Sequence, residues 1–202
     1  MKKYSLAALT FLLIALNGCV KKEVYFPLPV TFSEDIEFST PVDTLIYNWV
    51  LDPEVILSEV ETRLDELSDF ELNNVVIEGM AYTVFSTSNT ATKMDAVFRT
   101  GGNQKIKVVE FSGITPGQII DQQQMLTLES PGTDYIEQVL RKDILENGTD
   151  SLKFRITGSI DPAPLPGEVY RMSFRVEITI SAIGRQCQEV FDLLGSDDAA
   201  CN

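Results

Sequence analysis

The amino-acid sequence predicts an α+β fold, in which a single antiparallel β-sheet or a β-sandwich-like domain carries two amphipathic helices. Apolar residues recur every three or four positions in two segments and alternate with polar residues in several others. The alternating segments follow one another at hairpin-length connections, which favour antiparallel pairing. With 202 residues, the chain has the length of one ordinary domain, which we expect over residues 30–202.

The first part of this domain predicts a strand followed by a helix. Apolar side chains at even spacing, from Val30 to Phe38, predict a strand over residues 30–39. Asp52 suits the N-cap of a helix and Pro53 suits its first position. The helix is expected over residues 53–67, and its apolar stripe comprises Ile56, Val60, Leu64 and Leu67.

The middle of the chain predicts strands over residues 75–85, 93–100 and 105–111, with a short fourth strand near residues 125–128. Gly101-Gly102-Asn103 predicts a hairpin between the second and third of these strands, because glycine and asparagine tolerate the positive φ of tight turns. A second helix is expected over residues 134–146, where Thr133 can cap its start and Asn147-Gly148 ends it.

The clearest alternation in the chain lies between Tyr170 and Ala182 and predicts a strand with one buried and one solvent-exposed face. At about 3.3 Å per residue this strand would be ~43 Å long, so we expect a bulge or a bend in it. Its expected partner covers residues 152–160, across the proline-rich loop at residues 161–167.

Composition argues against several classes of function. The chain has no histidine, which excludes Ser-His-Asp and Cys-His catalysis and histidine-bearing zinc sites. The net charge of -14 argues against a nucleic-acid partner, because phosphate backbones are bound largely by Lys and Arg. The sequence contains neither a nucleophile elbow nor a phosphate-binding loop. We therefore expect no cofactor and no metal site, and a non-enzymatic role is favoured.

Carboxylates are the catalytic groups in good supply. Glu34, Asp35 and Glu37 lie in the first predicted strand, and a second cluster near the end of the first helix comprises Asp65, Glu66, Asp69 and Glu71. A solvated acidic face explains both clusters, and a pair spaced for glycoside hydrolysis is the alternative, so no catalytic residue is assigned. The single tryptophan, Trp49, is expected to pack in the core or an interface, with a glycan platform as the alternative.

The N-terminus carries an export signal over residues 1–18. Lys2 and Lys3 precede an apolar run from Leu6 to Leu16, which is too short to span a bilayer. The segment Leu16-Asn17-Gly18-Cys19 resembles the lipobox of bacterial lipoproteins. This resemblance implies cleavage between Gly18 and Cys19, and acylation of Cys19 by a diacylglycerol thioether and an N-acyl chain such as palmitate. It covers only about the first 20 residues.

The lipoprotein resemblance also implies a location. Residue 20 is Val, not the Asp that retains lipoproteins at the inner membrane in enteric bacteria, so the outer membrane is favoured. Residues 19–29 are expected to form a lipidated tether with some extended character, in which Pro27 and Pro29 prevent a helix. The lipid anchor is then the contact with the membrane, and the domain is either periplasmic or exposed at the cell surface.

Two covalent features follow from export. If Cys19 is lipidated, Cys187 and Cys201 remain as an even pair outside the cytoplasm, which favours a disulfide over two free thiols. Asp43-Thr44-Leu45 and Asp150-Ser151-Leu152 resemble an O-glycosylation acceptor pattern of certain Gram-negative bacteria. This pattern makes Thr44 and Ser151 candidate modification sites, although Ser151 can equally begin a strand.

These observations predict an envelope lipoprotein that binds a partner protein or a ligand at the outer membrane. The expected contact surface is the wet face of the sheet, which includes Arg171 and Arg175, or an exposed sheet edge that can accept another strand. The alternatives are a carboxylate-based hydrolase acting on envelope or extracellular glycans and a purely structural envelope protein.

Overall fold

A computed structural model of the chain describes residues 19–64, 70–146 and 150–191. The expected signal peptide, the acids at residues 65–69, the expected helix end at Asn147-Gly148 and the cysteine at position 201 lie outside the described residues. The domain boundaries expected from the sequence stay a prediction.

The described residues form eight β-strands and two α-helices. The strands are β1 (Cys19–Thr40), β2 (Thr44–Leu51), β3 (Phe70–Thr87), β4 (Lys93–Thr100), β5 (Ile106–Ile114), β6 (Gln123–Leu126), β7 (Leu152–Asp161) and β8 (Tyr170–Phe191). The helices are α1 (Pro53–Leu64), which follows β2, and α2 (Ser130–Glu146), which follows β6. A single 3-10 turn, Pro116–Gln118, lies between β5 and β6.

The strands form two antiparallel four-stranded sheets. Sheet A has the order β1-β8-β3-β6, and sheet B has the order β2-β7-β4-β5. The first three strands alternate between the sheets, and the two strands at each sheet's centre are distant in the sequence. Eight strands in this order form a jelly roll, a double-sheet architecture built from two Greek keys.

The expected α+β class is therefore wrong, because most of the described chain is β-structure and the helices form no layer of their own. Both helices occur, and α1 begins at the predicted Pro53. One source of the error is β2, an edge strand of uncharged residues for which the sequence predicts no strand. Local periodicity identified the helices, but the number of strands and their division into two sheets depend on long-range pairing.

The predicted pairing of the last two strands is also wrong. β7 lies between β2 and β4 in sheet B, whereas β8 lies between β1 and β3 in sheet A. The proline-rich loop between them therefore crosses from one sheet to the other. The hairpin joining β4 and β5 is confirmed, and Gly101 at its start has a φ of 91°. Alternation identifies the buried face of a strand, but it does not identify the neighbour.

The bulge expected in β8 occurs in its neighbour. β8 pairs with β1 over 22 residues without a change of register. Its pairing with β3 shifts at three places, each of which leaves one residue of β3 unpaired. Extra residues in β3 thus supply the twist that a sheet of this length needs.

Residues 19–29, expected as a tether, form the first half of β1 and pair with residues 181–191 of β8. β1 is an edge strand, so only one of its sides has a neighbour. Proline is compatible with a paired strand when its nitrogen faces away from that neighbour. Pro27 and Pro29 stop a helix, as expected, and they also leave this edge without two donors for a further strand.

The core lies between the two sheets and is filled by alternate side chains of each strand. β8 contributes the longest series of these residues: Tyr170, Met172, Phe174, Val176, Ile178, Ile180 and Ala182. In sheet B, Trp49 packs against Phe154 and Phe98, with ring centroids 4.4 Å and 5.3 Å from its own. Trp49 is buried, so it belongs to the core and does not form a glycan platform.

Candidate functional site

The two ends of the sandwich differ in structure. Thr40 of β1 pairs with Tyr170 of β8, and the last residue of β7, Asp161, pairs with Lys93 of β4. The connections that follow β1, β3, β5 and β7 therefore meet at one end, which we call the loop end. The helices and the β4–β5 hairpin lie at the other end, which we call the helix end, where Gly101 approaches Tyr135 of α2.

A groove of about 760 Å³ opens at the loop end. One wall comes from the β3–β4 connection and the other from the β7–β8 connection. The residues that line it are Ser88, Asn89, Thr90, Thr92, Pro162, Ala163, Pro164, Leu165, Glu168, Val169 and Tyr170. We call this feature the loop-end groove.

Backbone hydrogen bonds join the two walls at their base. Ser88 N donates to Arg171 O at 2.8 Å, and Arg171 N donates to Ser88 Oγ at 2.9 Å. At the adjacent residues, Thr87 Oγ1 donates a hydrogen bond to the Tyr170 hydroxyl oxygen at 2.9 Å. The base of the groove is therefore formed by the paired ends of β3 and β8, so a ligand would meet a rigid floor.

Asn89 and Gly117 determine the conformation of the β3–β4 connection, and Gly117 belongs to the β5–β6 connection beside it. Asn89 Oδ1 accepts a hydrogen bond from Ala91 N at 3.0 Å, which forms a local Asx-type turn. Gly117 packs so closely beneath this loop that a Cβ on it would lie 2.5 Å from Thr90 Cα. Glycine is required at position 117 because two backbone segments approach each other there.

The groove combines uncharged hydrogen-bonding groups with an aliphatic surface. Ser88, Asn89 and Thr90 supply exposed hydroxyl and amide groups, while Leu165 is 65% exposed on the opposite wall. Glu168 is the one acidic residue among the lining side chains. Burial raises the pKa of the Tyr170 phenol, so this hydroxyl stays protonated at neutral pH. These groups suit non-covalent recognition of a polar but largely uncharged surface.

The interior of the sandwich also contains a small apolar void between Met80, Tyr82, Met94 and Phe174. Its volume is about 20 Å³, which corresponds to roughly one water molecule. No polar atom lines it, so it is a packing gap between the sheets.

The acids of β1 do not converge on a pocket. Asp35 lies on the outer face of sheet A, where its carboxylate accepts two hydrogen bonds from Arg175 at 2.7 Å and 2.9 Å. These bonds hold the pKa of Asp35 below its usual range. Of the second cluster, the acids of residues 65–69 lie outside the described residues, and the side chain of Glu71 is not described. No described contact therefore favours a pair of hydrolytic carboxyl groups.

The carboxyl group of Asp143 on α2 has a raised pKa, and burial is the main cause. Its Oδ1 accepts a hydrogen bond from Asp150 N at 3.0 Å, whereas its Oδ2 is buried without a partner among the described residues. Asp143 lies at the helix end, remote from the loop-end groove. We interpret it as a structural acid that ties α2 to the segment before β7.

We expect Asp143→Asn to remove part of the acidic pH dependence of stability. Because the pKa of Asp143 is raised in the folded chain, its carboxyl group binds more protons there than in the unfolded chain. Its contribution to the free energy of unfolding therefore falls as the pH rises above about 3.9, the ordinary pKa of Asp. Urea unfolding across the acidic range measures this slope. Asp134→Asn, at an exposed position on the same helix, is the matched control, and the two slopes should differ.

The residues expected to carry the anchor and the disulfide lie near the helix end. The backbone of Cys19 begins β1 opposite Phe191, and Cys187 lies four residues before Phe191, opposite Glu23. Four residues of a strand span about 13 Å, which is too far for a Cys19–Cys187 disulfide. The pairing of Cys187 with Cys201 stays a prediction, because Cys201 lies outside the described residues.

The two candidate glycosylation sites are both exposed. Thr44 begins β2 at the loop end, and its Oγ1 donates a hydrogen bond to Asp43 Oδ1 at 3.1 Å. Ser151 immediately precedes β7 at the helix end. Their modification stays a prediction.

Arg171 and Arg175, the two arginines of the expected contact surface, lie on the solvent-exposed face of sheet A. Arg175 is held by Asp35, and its guanidinium carbon lies 5.4 Å from the centre of the Phe85 ring. Arg171 is exposed beside the base of the loop-end groove. The fold thus places Arg171 nearer to the groove than to the middle of the sheet face.

The sequence alone predicts no role for the residues of the loop-end groove. Its prolines identify the segment 161–167 as a loop, but the β3–β4 connection carries no signal beyond its turn-forming residues. These two loops are separated by about 70 residues, and only the crossing of β8 into sheet A brings them together.

Two further observations concern metals and membranes. Within the described ranges, no group of three or more Cys, Asp or Glu side chains is arranged to hold a metal ion. Neither helix of the described chain is long and apolar enough to cross a membrane.

Comparisons with known proteins identify no family. No protein-family model matches the sequence, and no curated protein matches it. Among solved structures, the infectious bursal disease virus VP2 subviral particle is 15% identical with a TM-score of 0.35, and the Gx strain of that virus is 8% identical with a TM-score of 0.31. The alignments cover 82% and 85% of this chain but only 38% and 39% of the viral chains.

A chain in the solved structure of turnip yellow mosaic virus is 17% identical to this chain, with a TM-score of 0.24. The alignment covers 83% of this chain and 86% of the viral chain. TM-scores this low carry no conclusion about function. The jelly-roll architecture rests on the strand order of the chain itself.

Proposed function

We propose that this protein is an envelope lipoprotein whose jelly-roll domain is anchored through Cys19 and binds a partner protein or a ligand at the loop-end groove. The role is non-enzymatic, and the outer membrane is the expected site. The observation that carries the proposal is the polarity of β1, which begins at Cys19, the proposed anchor, and ends at Thr40, opposite the groove residue Tyr170.

This polarity would place the groove far from the lipid. β1 has 22 residues, which at about 3.3 Å per residue correspond to a length of about 70 Å. Since β8 pairs with β1 along this whole length, the anchor would be joined to the groove by a paired ribbon and not by a single flexible chain. A groove held at that distance suits contact with a partner away from the membrane surface.

The composition supports anchorage by lipid. The chain carries 30 acidic and 16 basic residues, so an anionic membrane surface would repel the domain. Two or more acyl chains on Cys19 would provide stable attachment without a basic patch. Attachment at the helix end would also leave the largely uncharged walls of the groove free of competing membrane contacts.

We expect Leu165→Arg to abolish capture of the partner by the full-length protein in detergent-solubilised envelopes. An arginine at this exposed position would place a charge on the aliphatic wall, and loss of more than about 10-fold in captured partner is expected. Mass spectrometry of co-purified proteins and labelled ligands, normalised to the bait, measures the change.

Met125→Arg is the matched control, because Met125 is 72% exposed but lies on β6, opposite Ala81 of β3. Ala81 is seven residues from Ser88, or about 20 Å along the strand. If Leu165→Arg captures as much partner as Met125→Arg, the groove is not the binding surface. An intact mass that shows an unmodified Cys19 in the mature protein would contradict the anchor.

A further inference from the structure

The edge strand of sheet B lacks the features that normally prevent strands from associating. β2 contains neither a proline nor a charged residue, and β7 is the strand that pairs with it within the described chain. Native sheets usually protect such an edge with charge, proline or a bulge. β1, the edge of sheet A, has several of these features, including Pro27, Pro29 and Asp35.

The outer face of β2 is aliphatic where the outer face of a sheet is usually polar. Ile46 is 50% exposed and Val50 is 57% exposed, with the polar side chain of Asn48 between them. Val42, just before the strand, and Val55, just after it, are exposed as well. We define the aliphatic stripe as Ile46 and Val50, which lie on the outer face of β2.

Ile46 and Val50 each lie two residues from Asn48, on opposite sides of it along β2. In an antiparallel pair, residues directly opposite each other point to the same face, so residues 46 and 50 can face each other across a two-fold axis through position 48. Ile46 of each copy would then lie opposite Val50 of the other copy. Both pairs are β-branched cross-strand contacts, which stabilise antiparallel sheets.

We propose that β2 pairs with β2 of a second copy of this chain, in antiparallel register about Asn48, and joins the two B sheets into one eight-stranded sheet. The self-complementary register favours a second copy over a foreign strand, since a two-fold interface needs each patch to match itself. Because β2 contains no charged residue, the cross-strand pairs from position 45 to position 51 bring no like charges together in a chain of net charge -14. A single strand pair is a small interface, so the dimer should be weak and reversible.

Oxidative crosslinking of the full-length protein with Asn48→Cys tests this pairing. Residues on the two-fold axis have Cα atoms about 4.5–5.5 Å apart, which is within the range of a disulfide. We expect Asn48→Cys to give a covalent homodimer under mild oxidant, in excess over the wild-type chain with its native cysteines. Adding Ile46→Lys to Asn48→Cys should reduce the crosslinked fraction by about 10-fold, because it buries a lysine in each cross-strand pair.

Ser33→Cys on β1 is the matched control, since Ser33 is exposed in the middle of the other sheet's edge strand. Circular dichroism of all variants would verify that they fold. If Asn48→Cys crosslinks no more than Ser33→Cys, the proposal is overturned. Crosslinking of Asn48→Cys in cells to another envelope protein, in place of a second copy, would also overturn it and assign the edge to a foreign strand.

Discussion

Replacing Phe154 with alanine should lower the free energy of unfolding by about 4 kcal/mol, the middle of the range for replacing a buried aromatic side chain with alanine. Phe154 has no exposed surface. Its ring centroid lies 4.4 Å from that of Trp49 and 5.1 Å from that of Phe98. Three adjacent strands of sheet B each contribute one ring to this cluster.

The site is unable to collapse around the smaller side chain, because β7 is held on both sides by β2 and β4. The cavity left by the ring would therefore persist, and aromatic contacts with both neighbours would be lost. Urea unfolding followed by Trp49 fluorescence and circular dichroism measures the change. Phe85→Ala, at a partly exposed bulge of β3, should cost less than about 1 kcal/mol. A loss below about 2 kcal/mol for Phe154→Ala would contradict the rigid-cluster explanation.

Local features of this fold were predictable from the sequence because they depend on neighbouring residues. The strand expected over residues 93–100 is β4 to the residue, and the turn at Gly101 forms as expected. The first helix begins at Pro53, and the second extends from Ser130 through the predicted segment. Capping residues, glycine turns and apolar periodicity act over a few residues, so they survive in any tertiary context that buries the same face.

The division into two sheets was not predictable in the same way. Alternation in β8 indicated its buried face, but β1 and β3, its neighbours, are distant in the sequence. The uncharged residues of β2 gave no clear alternation, because exposed Ile46 and Val50 replace the polar residues that would mark an outer face. If β2 binds a second copy, the residues that obscured the strand are those that serve the interface.

The loop-end groove escaped prediction for a related reason. Its walls consist of turn-forming residues such as Asn89 and Pro164, which sequence patterns identify as loops without a partner. Loops on a rigid scaffold vary more in sequence than the strands that they connect, so their composition is less constrained. Only the strand order shows that these two loops lie side by side.

Gly158→Ala should destabilise the protein by about 3 kcal/mol, the upper end of the usual range for overpacking, although it adds a single methyl group. Gly158 lies in β7, at the centre of sheet B and opposite Ala96 of β4. An ideal Cβ at position 158 would clash with Asp95 O and would lie 2.9 Å from Ala96 Cα. Both are backbone atoms, so a change of side-chain rotamer cannot relieve the clash.

The geometry of β4 explains why this contact is so close. The register between β4 and β5 shifts between Met94 and Ala96, so Asp95 lies at a bulge. Gly113 N donates a hydrogen bond to Asp95 Oδ1 at 2.6 Å, which holds the bulge in place. An alanine at position 158 would have to displace β4 from β7 or undo this bulge, and either change breaks ladder hydrogen bonds in the middle of the sheet.

Gly102→Ala separates this steric effect from the general effect of replacing glycine. Gly102 lies in the β4–β5 turn with no heavy atom within 4 Å of an added Cβ. Its substitution should therefore change the free energy of unfolding by less than about 0.5 kcal/mol in either direction. Chemical denaturation of both variants, each compared with the wild type, measures the difference. Similar stabilities for the two variants would show that β7 and β4 lie further apart at this point, and the tight packing of sheet B around Gly158 would have to be abandoned.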